Sequence, residues 1–379
     1  MDLTHTPADE EFRAEARAWL TAHVPSRPLP SLETAEGFAA HRAWETELAA
    51  DRWSVVSWPE RYGGRDAGLL RWLVFEEEYY AAGAPGRVGQ NGVGLLAPTL
   101  FDHGTEEQRA RVLSPMATGE VVWAQAWSEP EAGSDLAALR SRAVRTAGGW
   151  LLTGQKTWSS RAAFADRAFG LFRSEPDTPR PHQGLTYLMF DLRAPGVTVR
   201  PIGRLDGKPA FAELFLDQVF VPDEDVIGEP GQGWRIAMST AGNERGLTLR
   251  SPGRFLASAD RLVRLWRERG APESAAARVA DAVVRARAYQ LFTYAAAARF
   301  LDGEALGPES SLNKVFWSEL DLSLHETALD LLGEEGESAD TAWSEGYVFS
   351  LAGPVYAGTN EIQRDIIAER LLGLPKGRR

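Results

Sequence analysis

The chain has 379 residues, more than one hydrophobic core usually serves, so two or three packed subdomains are expected. Hydrophobic residues make up 44% and charged residues 25%, the balance of a soluble globular protein. Forty-one basic against 53 acidic side chains leave a net charge of −12. That argues against nucleic acid or an anionic membrane as partner, while leaving room for a local arginine pocket around a phosphorylated ligand.

The absence of cysteine excludes disulfides, thiolate metal sites and a cysteine nucleophile. Six scattered histidines form no pair at ligand spacing, so no metal is expected. The opening MDLTHTPADEEF has neither a basic nor an apolar targeting region, and no run of about 18 apolar residues follows. A cytoplasmic location is the expectation.

Residues 1–120 read as helices. Thr6, Pro7 and Asp9 supply an N-cap, a first-turn proline and a first-turn acid, and Phe12, Ala16, Trp19 and Leu20 follow at helical spacing. SWPERYGGRDAG (57–68) reads as a loop, RWLVFEEEYYAAG as a helix, and Thr105 as the cap of another. Near Val121 the texture changes to short aromatic and β-branched runs separated by Gly, Pro and Asp, which read as strands. In ELFLDQVFV the alternation suits a sheet with one buried face. From Gly231 helical stripes return, with Gly373 and Pro375 closing the last. The fold class is therefore α+β in three segments: 1–120 helical, 121–230 β, and 231–379 helical.

The usual nucleotide signatures are missing. GEPGQGW (228–234) offers only Gly231 and Gly233 of a dinucleotide fingerprint, with Ile236 at the third position, and there is no Walker loop. WAQAWSEPEAGSDLAALRSRA (123–143) is more informative: a strand runs into a polar turn whose amides and hydroxyls could hold an anion, beside flat tryptophan faces. A tight turn with core aromatics explains the same residues.

Five segments then occur in order across nearly the whole chain: ERYGG (60–64), WSEPEAGSD, GQKTWSS (154–160), LDQVFVP (216–222) and AGTNEIQRDIIAERLLG (357–373). Together they resemble the acyl-CoA dehydrogenase family. The resemblance implies a middle β-barrel-like domain and a C-terminal four-helix bundle. It further implies a homotetramer, a dimer of dimers, with non-covalent FAD, an electron-transfer flavoprotein as acceptor, and α,β-desaturation of an acyl thioester. Carried over by position, Trp127 and Ser128 lie at the flavin's pyrimidine side, with Gln125 on the same strand counted among the cofactor residues. Ser134 lies by the FAD phosphates and the CoA, Trp158 and Ser160 by the isoalloxazine ring, and Thr359 and Glu361 by the nucleotide portion. Ala357 and Gly358 fall on the substrate side.

Many members carry a proton-abstracting glutamate after the tyrosine of the terminal segment. Here Tyr356 is followed by Ala357. Desaturation removes a weakly acidic α-proton, so a desolvated carboxylate is needed, worth about two to four powers of ten in rate. Isovaleryl-CoA and long-chain dehydrogenases keep their glutamate on the first long helix after the β-domain, directly before an arginine. Glu244-Arg245 in STAGNERGLTLR (239–250) aligns with that pair, making Glu244 the candidate base and Arg245 a contact for the CoA side.

The chain departs from the family at two places. The R-x-x-F-G segment has no counterpart, the region reading RLVRLWRERGAPES (261–274), and Q-x-x-G-G-x-G becomes DLLGEEG, with Asp330 for glutamine and Glu334 at a glycine position. These changes weaken the implied cross-subunit FAD contacts and with them a simple homotetramer. Two alternatives stand beside the dehydrogenase: a flavin monooxygenase on the same fold, and a non-catalytic subunit of a hetero-oligomer. The acyl group, and whether CoA or a carrier-protein arm presents it, stays open.

Overall fold

The structure is a computed structural model describing residues 5–245, 251–304, 307–338 and 341–376; the side chains of residues 243–245 are outside that description. The chain divides into two compact units, each built from separated stretches: 27–66 with 85–244, and 1–26 with 67–84 and 245–379.

In the first unit the strands are β1 (Trp123–Ala126), β2 (Arg142–Thr146), β3 (Gly149–Ser160), β4 (Arg167–Arg173), β5 (Leu185–Asp191), β6 (Val197–Ile202), β7 (Phe211–Pro222) and β8 (Val226–Ile227). Their order is β6-β7-β3-β2-β4-β5-β8, with β1 parallel to β4. Strands β2 and β4 meet only where Arg142 pairs with Arg173, so the sheet is two halves joined at one corner. The inner faces of both halves share one core, including Ala143, Leu152, Phe172, Phe190, Leu214 and Val221. The expected barrel-like middle domain takes this form.

The alternation read in β7 holds for Ala212, Leu214 and Leu216 and then changes parity, with Val219 and Val221 buried. Gln218, in the left-handed region at φ 53°, sits at a register slip between β7 and β3. One extra residue in one strand flips every later side chain to the opposite face. Opposite this slip, a Cβ on Gly154 would fall 2.2 Å from Ser141 Oγ, so only glycine lets β2 and β3 close here.

Helices α2 (Ala35–Ala50), α4 (Ala97–His103), α5 (Glu106–Ala117) and α6 (Gly233–Arg245) complete this unit, with a π-helical turn at Gly92–Leu96. Helix α5 begins where Thr105 predicts: its hydroxyl accepts from Gln108 N, and the Gln108 side chain accepts from Thr105 N.

The second unit holds α1 (Pro7–His23), α3 (Gly68–Ala81), α7 (Pro252–Glu268), α8 (Glu273–Leu301), α9 (Ser310–Leu332), α10 (Ala342–Ser350) and α11 (Asn360–Ile366). Thr6 caps α1 as its sequence requires, in a reciprocal pair with Asp9. Phe255, Leu262, Val279, Tyr289, Trp317, Leu320 and Leu324 of α7, α8 and α9 form one core, and each large side chain buried there contributes about 1.5–3 kcal/mol. Helix α7 starts against the α3 backbone because residue 253 is glycine; a Cβ would lie 2.6 Å from the Glu76 carbonyl oxygen. Arg17 grips Glu78 with two hydrogen bonds, Arg13 bonds both Glu77 and Glu78, and Gln290 Nε2 donates to Glu77, tying α1, α3 and α8 together. Helix α10 has no counterpart in the sequence reading. No described helix is long and apolar enough to cross a membrane.

Candidate active site

The cofactor residues expected from the sequence fall into two groups, one in each unit. The first gathers where β1 ends beside β3. Gln125 is half-buried on β1, and the Ser128 carbonyl accepts from Thr157 N at 2.9 Å, joining the strand end to β3. Trp127 Nε1 donates to the Tyr187 hydroxyl at 3.1 Å, with the two rings edge to face.

The following loop is closed at its base by a buried charge pair. The Glu129 carboxylate accepts from the backbone N–H of Arg140 (2.6 Å) and Ser141 (2.9 Å) and from Lys156 Nζ (2.8 Å). Lys156, which has no exposed surface, also donates to the carbonyls of Leu171 (2.7 Å) and Trp127 (3.3 Å). Burial lowers its pKa to about 8, against the opposing pull of Glu129. Burial pushes Glu129 up, but the lysine charge and the donated hydrogen bonds outweigh it and hold the carboxyl below its usual range. Ser134 sits on the exposed tip of the loop this pair closes.

Two residues along β3 from Lys156, the register with β7 slips again, and Trp158 adopts φ 60°. That backbone turns the indole outward: it is 60% exposed, edge-on to Phe211 at 5.9 Å. Ser159 Oγ beside it is buried with no hydrogen-bond partner among the described residues, while Ser160 is half-buried and pairs with Phe211 in the ladder. An exposed indole on a left-handed backbone presents a flat apolar face that a ligand could cover. An exposed flat indole face, one residue along β3 from the Thr157 N–H that bonds the Ser128 carbonyl, suits a planar heteroaromatic ring such as a flavin.

The second group lies on the turn before α11. Ala357 and Gly358 are both left-handed, at φ 58° and 77°. Gln363, fully buried, donates Nε2 to their carbonyls at 3.0 and 3.3 Å. Thr359 caps α11, its hydroxyl accepting from Ile362 N at 3.3 Å. Glu361 is exposed in the first turn, its carboxyl lowered by hydrogen bonds from its own backbone and from Thr359. The fully buried Lys314 donates to Asn360 Oδ1 at 2.7 Å, and the Tyr356 ring stacks on Trp317.

Glu244 and Arg245 form the end of α6; their side chains lie outside the described residues. One turn earlier, Thr240 and Ala241 are buried, so that face of the helix points inward. Of the two acidic departures, Asp330 is paired with Arg278 and so meets a cation. Glu334 is exposed on the 3₁₀ turn Gly333–Glu337, where its neighbour Glu335 pairs with Arg269.

Sequence reasoning missed Glu129 and Lys156 as a pair, along with Tyr187 and Gln363. Glu129 and Lys156 stood inside motifs that had been recognised. Tyr187 was hidden in an apolar run, and Gln363 in an amphipathic one.

Profiles for the acyl-CoA dehydrogenase N-terminal, middle and C-terminal domains match residues 6–120, 124–219 and 231–372. The chain is 37% identical to acyl-CoA dehydrogenase IpdE1 of Mycolicibacterium smegmatis, over 97% of this chain and 98% of that one. It is 29% identical to acyl-CoA dehydrogenase FadE26 of Mycobacterium tuberculosis over the full length of both. Among solved structures, the ChsE4-ChsE5 complex of Mycobacterium tuberculosis superposes with a TM-score of 0.86 at 27% identity, covering 100% of both chains. The Tcur3481-Tcur3483 steroid ACAD superposes equally, at 0.86 and 26% identity, again covering 100% of both. With its motifs, its fold and three consecutive domain profiles in agreement, the chain belongs to the acyl-CoA dehydrogenase family.

Proposed function

We propose that this oxidoreductase carries out FAD-dependent α,β-dehydrogenation of an acyl-CoA, with Glu244 as the base. The observation that carries the cofactor reading is the exposed Trp158 indole, on the strand that Thr157 N joins to the Ser128 carbonyl. FAD, when bound, supplies the acceptor for the β-hydride. The chain's own groups do the rest. Gln125, Trp127, Ser128, Trp158 and Ser160 hold the ring portion, Ser134 the phosphates, and Thr359 and Glu361 the nucleotide end.

Position 357 is an alanine and supplies no carboxylate. Glu244 lies on α6 one turn beyond the inward-facing Thr240 and Ala241, which supports a desolvated carboxylate able to take the α-proton. Arg245 is assigned to the CoA end. An electron-transfer flavoprotein then reoxidises the flavin. Relatedness to a protein described as a steroid ACAD favours a bulky, ring-bearing acyl group.

A second copy or a sister chain fits the bundle. On α8, Val284, Ala288 and Leu291 are exposed, and with half-buried Ala295 and Ala298 they recur at alternating spacings of four and three. That is the seam pattern of a helix awaiting a partner. The two-chain names of both steroid-type and ChsE4-ChsE5 structures support a hetero-oligomer. The division 1–120, 121–230 and 231–379 belongs to the same proposal, supported by the three profile matches.

Anaerobic mixing of the yellow protein with a panel of acyl-CoAs is the test. At least one should bleach the visible flavin band; no bleaching across the panel removes the dehydrogenase assignment. Glu244→Gln should retain FAD and slow bleaching about a hundredfold or more. Near-normal reduction in that variant removes Glu244 as base.

A further inference from the structure

A chain of buried hydroxyls runs from Trp127 to α6. Trp127 Nε1 donates to Tyr187 Oη (3.1 Å), Tyr187 Oη donates to Thr240 Oγ1 (3.4 Å), Thr240 and Thr99 hydroxyls lie 2.7 Å apart, and Thr99 Oγ1 donates to the Leu95 carbonyl (2.7 Å). Each hydroxyl has one proton. The Thr240 hydroxyl also has the carbonyl of Ile236, one turn back on its own helix, as an acceptor at 3.1 Å; when it donates to Thr99 instead, the chain runs in one direction, Trp127 to Tyr187 to Thr240 to Thr99 to Leu95 O. Tyr187, Thr240 and Thr99 have no exposed surface, and Leu95 belongs to the π-helical turn. In such a dry place, removing the Tyr187 hydroxyl takes away the acceptor of the Trp127 indole N–H, and removing the Thr240 hydroxyl takes away an acceptor of Tyr187, so these two links act together.

We infer that Tyr187 and Thr240 are positioning residues for the reaction, fixing the rotation of α6 relative to Trp127. The inference rests on the reading of Glu244 as base. Thr240 and Glu244 are one helical turn apart, so pinning the Thr240 hydroxyl fixes the azimuth of the backbone that carries the carboxylate. A carbon or valine side chain would fill the same volume with no directional constraint. The polar chain is therefore a positional device, since misplacement of a reacting group by about 1 Å costs about a hundredfold in rate.

The test uses full-length, FAD-loaded protein and whichever acyl-CoA bleaches the wild type fastest. Tyr187→Phe and Thr240→Val should each slow bleaching at saturating acyl-CoA about tenfold. The KM and the FAD dissociation constant should stay within about twofold. Because one chain is cut twice, the double variant should be no slower than the worse single variant. Thr240→Ser should restore the rate. In apo-protein labelled with 5-fluorotryptophan, the Trp127 resonance, assigned with Trp127→Phe, should shift in Thr240→Val.

Unchanged rates, fully additive losses or an unmoved Trp127 resonance overturn the inference. If Thr240→Val does not fold, the near-isosteric Tyr187→Phe decides by the same readouts. The base assignment fails separately: Glu244→Gln that still bleaches sinks Glu244 while the resonance shift stands.

Discussion

Two loops carry part of the candidate site, and they are held by different physics. The loop after β1 is closed by Lys156 and Glu129, a full charge pair whose ammonium has no exposed surface. The turn before α11 is held by the neutral amide of Gln363 and the hydroxyl of Thr359. A buried ion pair is costly to form and ruinous to halve, whereas a neutral amide is cheap on both counts. The first loop should therefore fail abruptly and respond to pH, and the second should weaken gradually and ignore it.

The largest expected effect follows from halving the pair. Lys156→Met strands Glu129 as a buried unpaired carboxylate and should cost about 3–5 kcal/mol, read by denaturant unfolding. Lys156→Met combined with Glu129→Gln should recover most of that loss; a double variant as unstable as the single one would show that shape, not charge, closes the loop.

Next comes pH. Lys156 keeps its proton to about 8 when folded but to an ordinary 10.5 when unfolded. Between those values the unfolded chain binds the extra proton, so this group's contribution to stability rises as pH climbs from about 8 to about 10.5. The burial penalty is complete below 8 and fades by about 3 kcal/mol at most. Against the Lys156→Met/Glu129→Gln protein, the wild type should gain relative stability over that window. Melting curves of the two that move in parallel would contradict it.

The smallest effect belongs to the neutral turn. Gln363→Leu leaves the Ala357 and Gly358 carbonyls without their donor and should cost about 1–3 kcal/mol. The loss should be the same at pH 7 and pH 10, and a strong pH dependence would erase the contrast between the loops.

What the sequence disclosed was whatever is local. Thr6 and Thr105 announce their helices because a cap needs only residues three positions away. The cofactor roles of Trp127, Ser128 and Trp158 came instead from the resemblance of WSEPEAGSD and GQKTWSS to family segments, since their residue types alone read equally as a strand and a tight turn. Trp158's exposure was not legible, because it depends on a register slip against β7 some fifty residues later. Likewise Val219 and Val221 are inward only because Gln218 resets the parity of β7. Helix α10, AWSEGYVFS, is short and mostly apolar, so it presents no clean face to read. The hydroxyl chain joins Thr99 to Thr240 across 141 positions, and no pattern in either segment points to the other.

Ala357 sits with φ at 58°, where bulky and β-branched residues are disfavoured. The repertoire open to this position is consequently short, and every replacement tests backbone geometry together with side-chain chemistry. Ala357→Gly separates the two: it removes the backbone penalty while leaving the side chain nearly unchanged, so it is the proper reference against which any carboxylate installed at 357 should be judged.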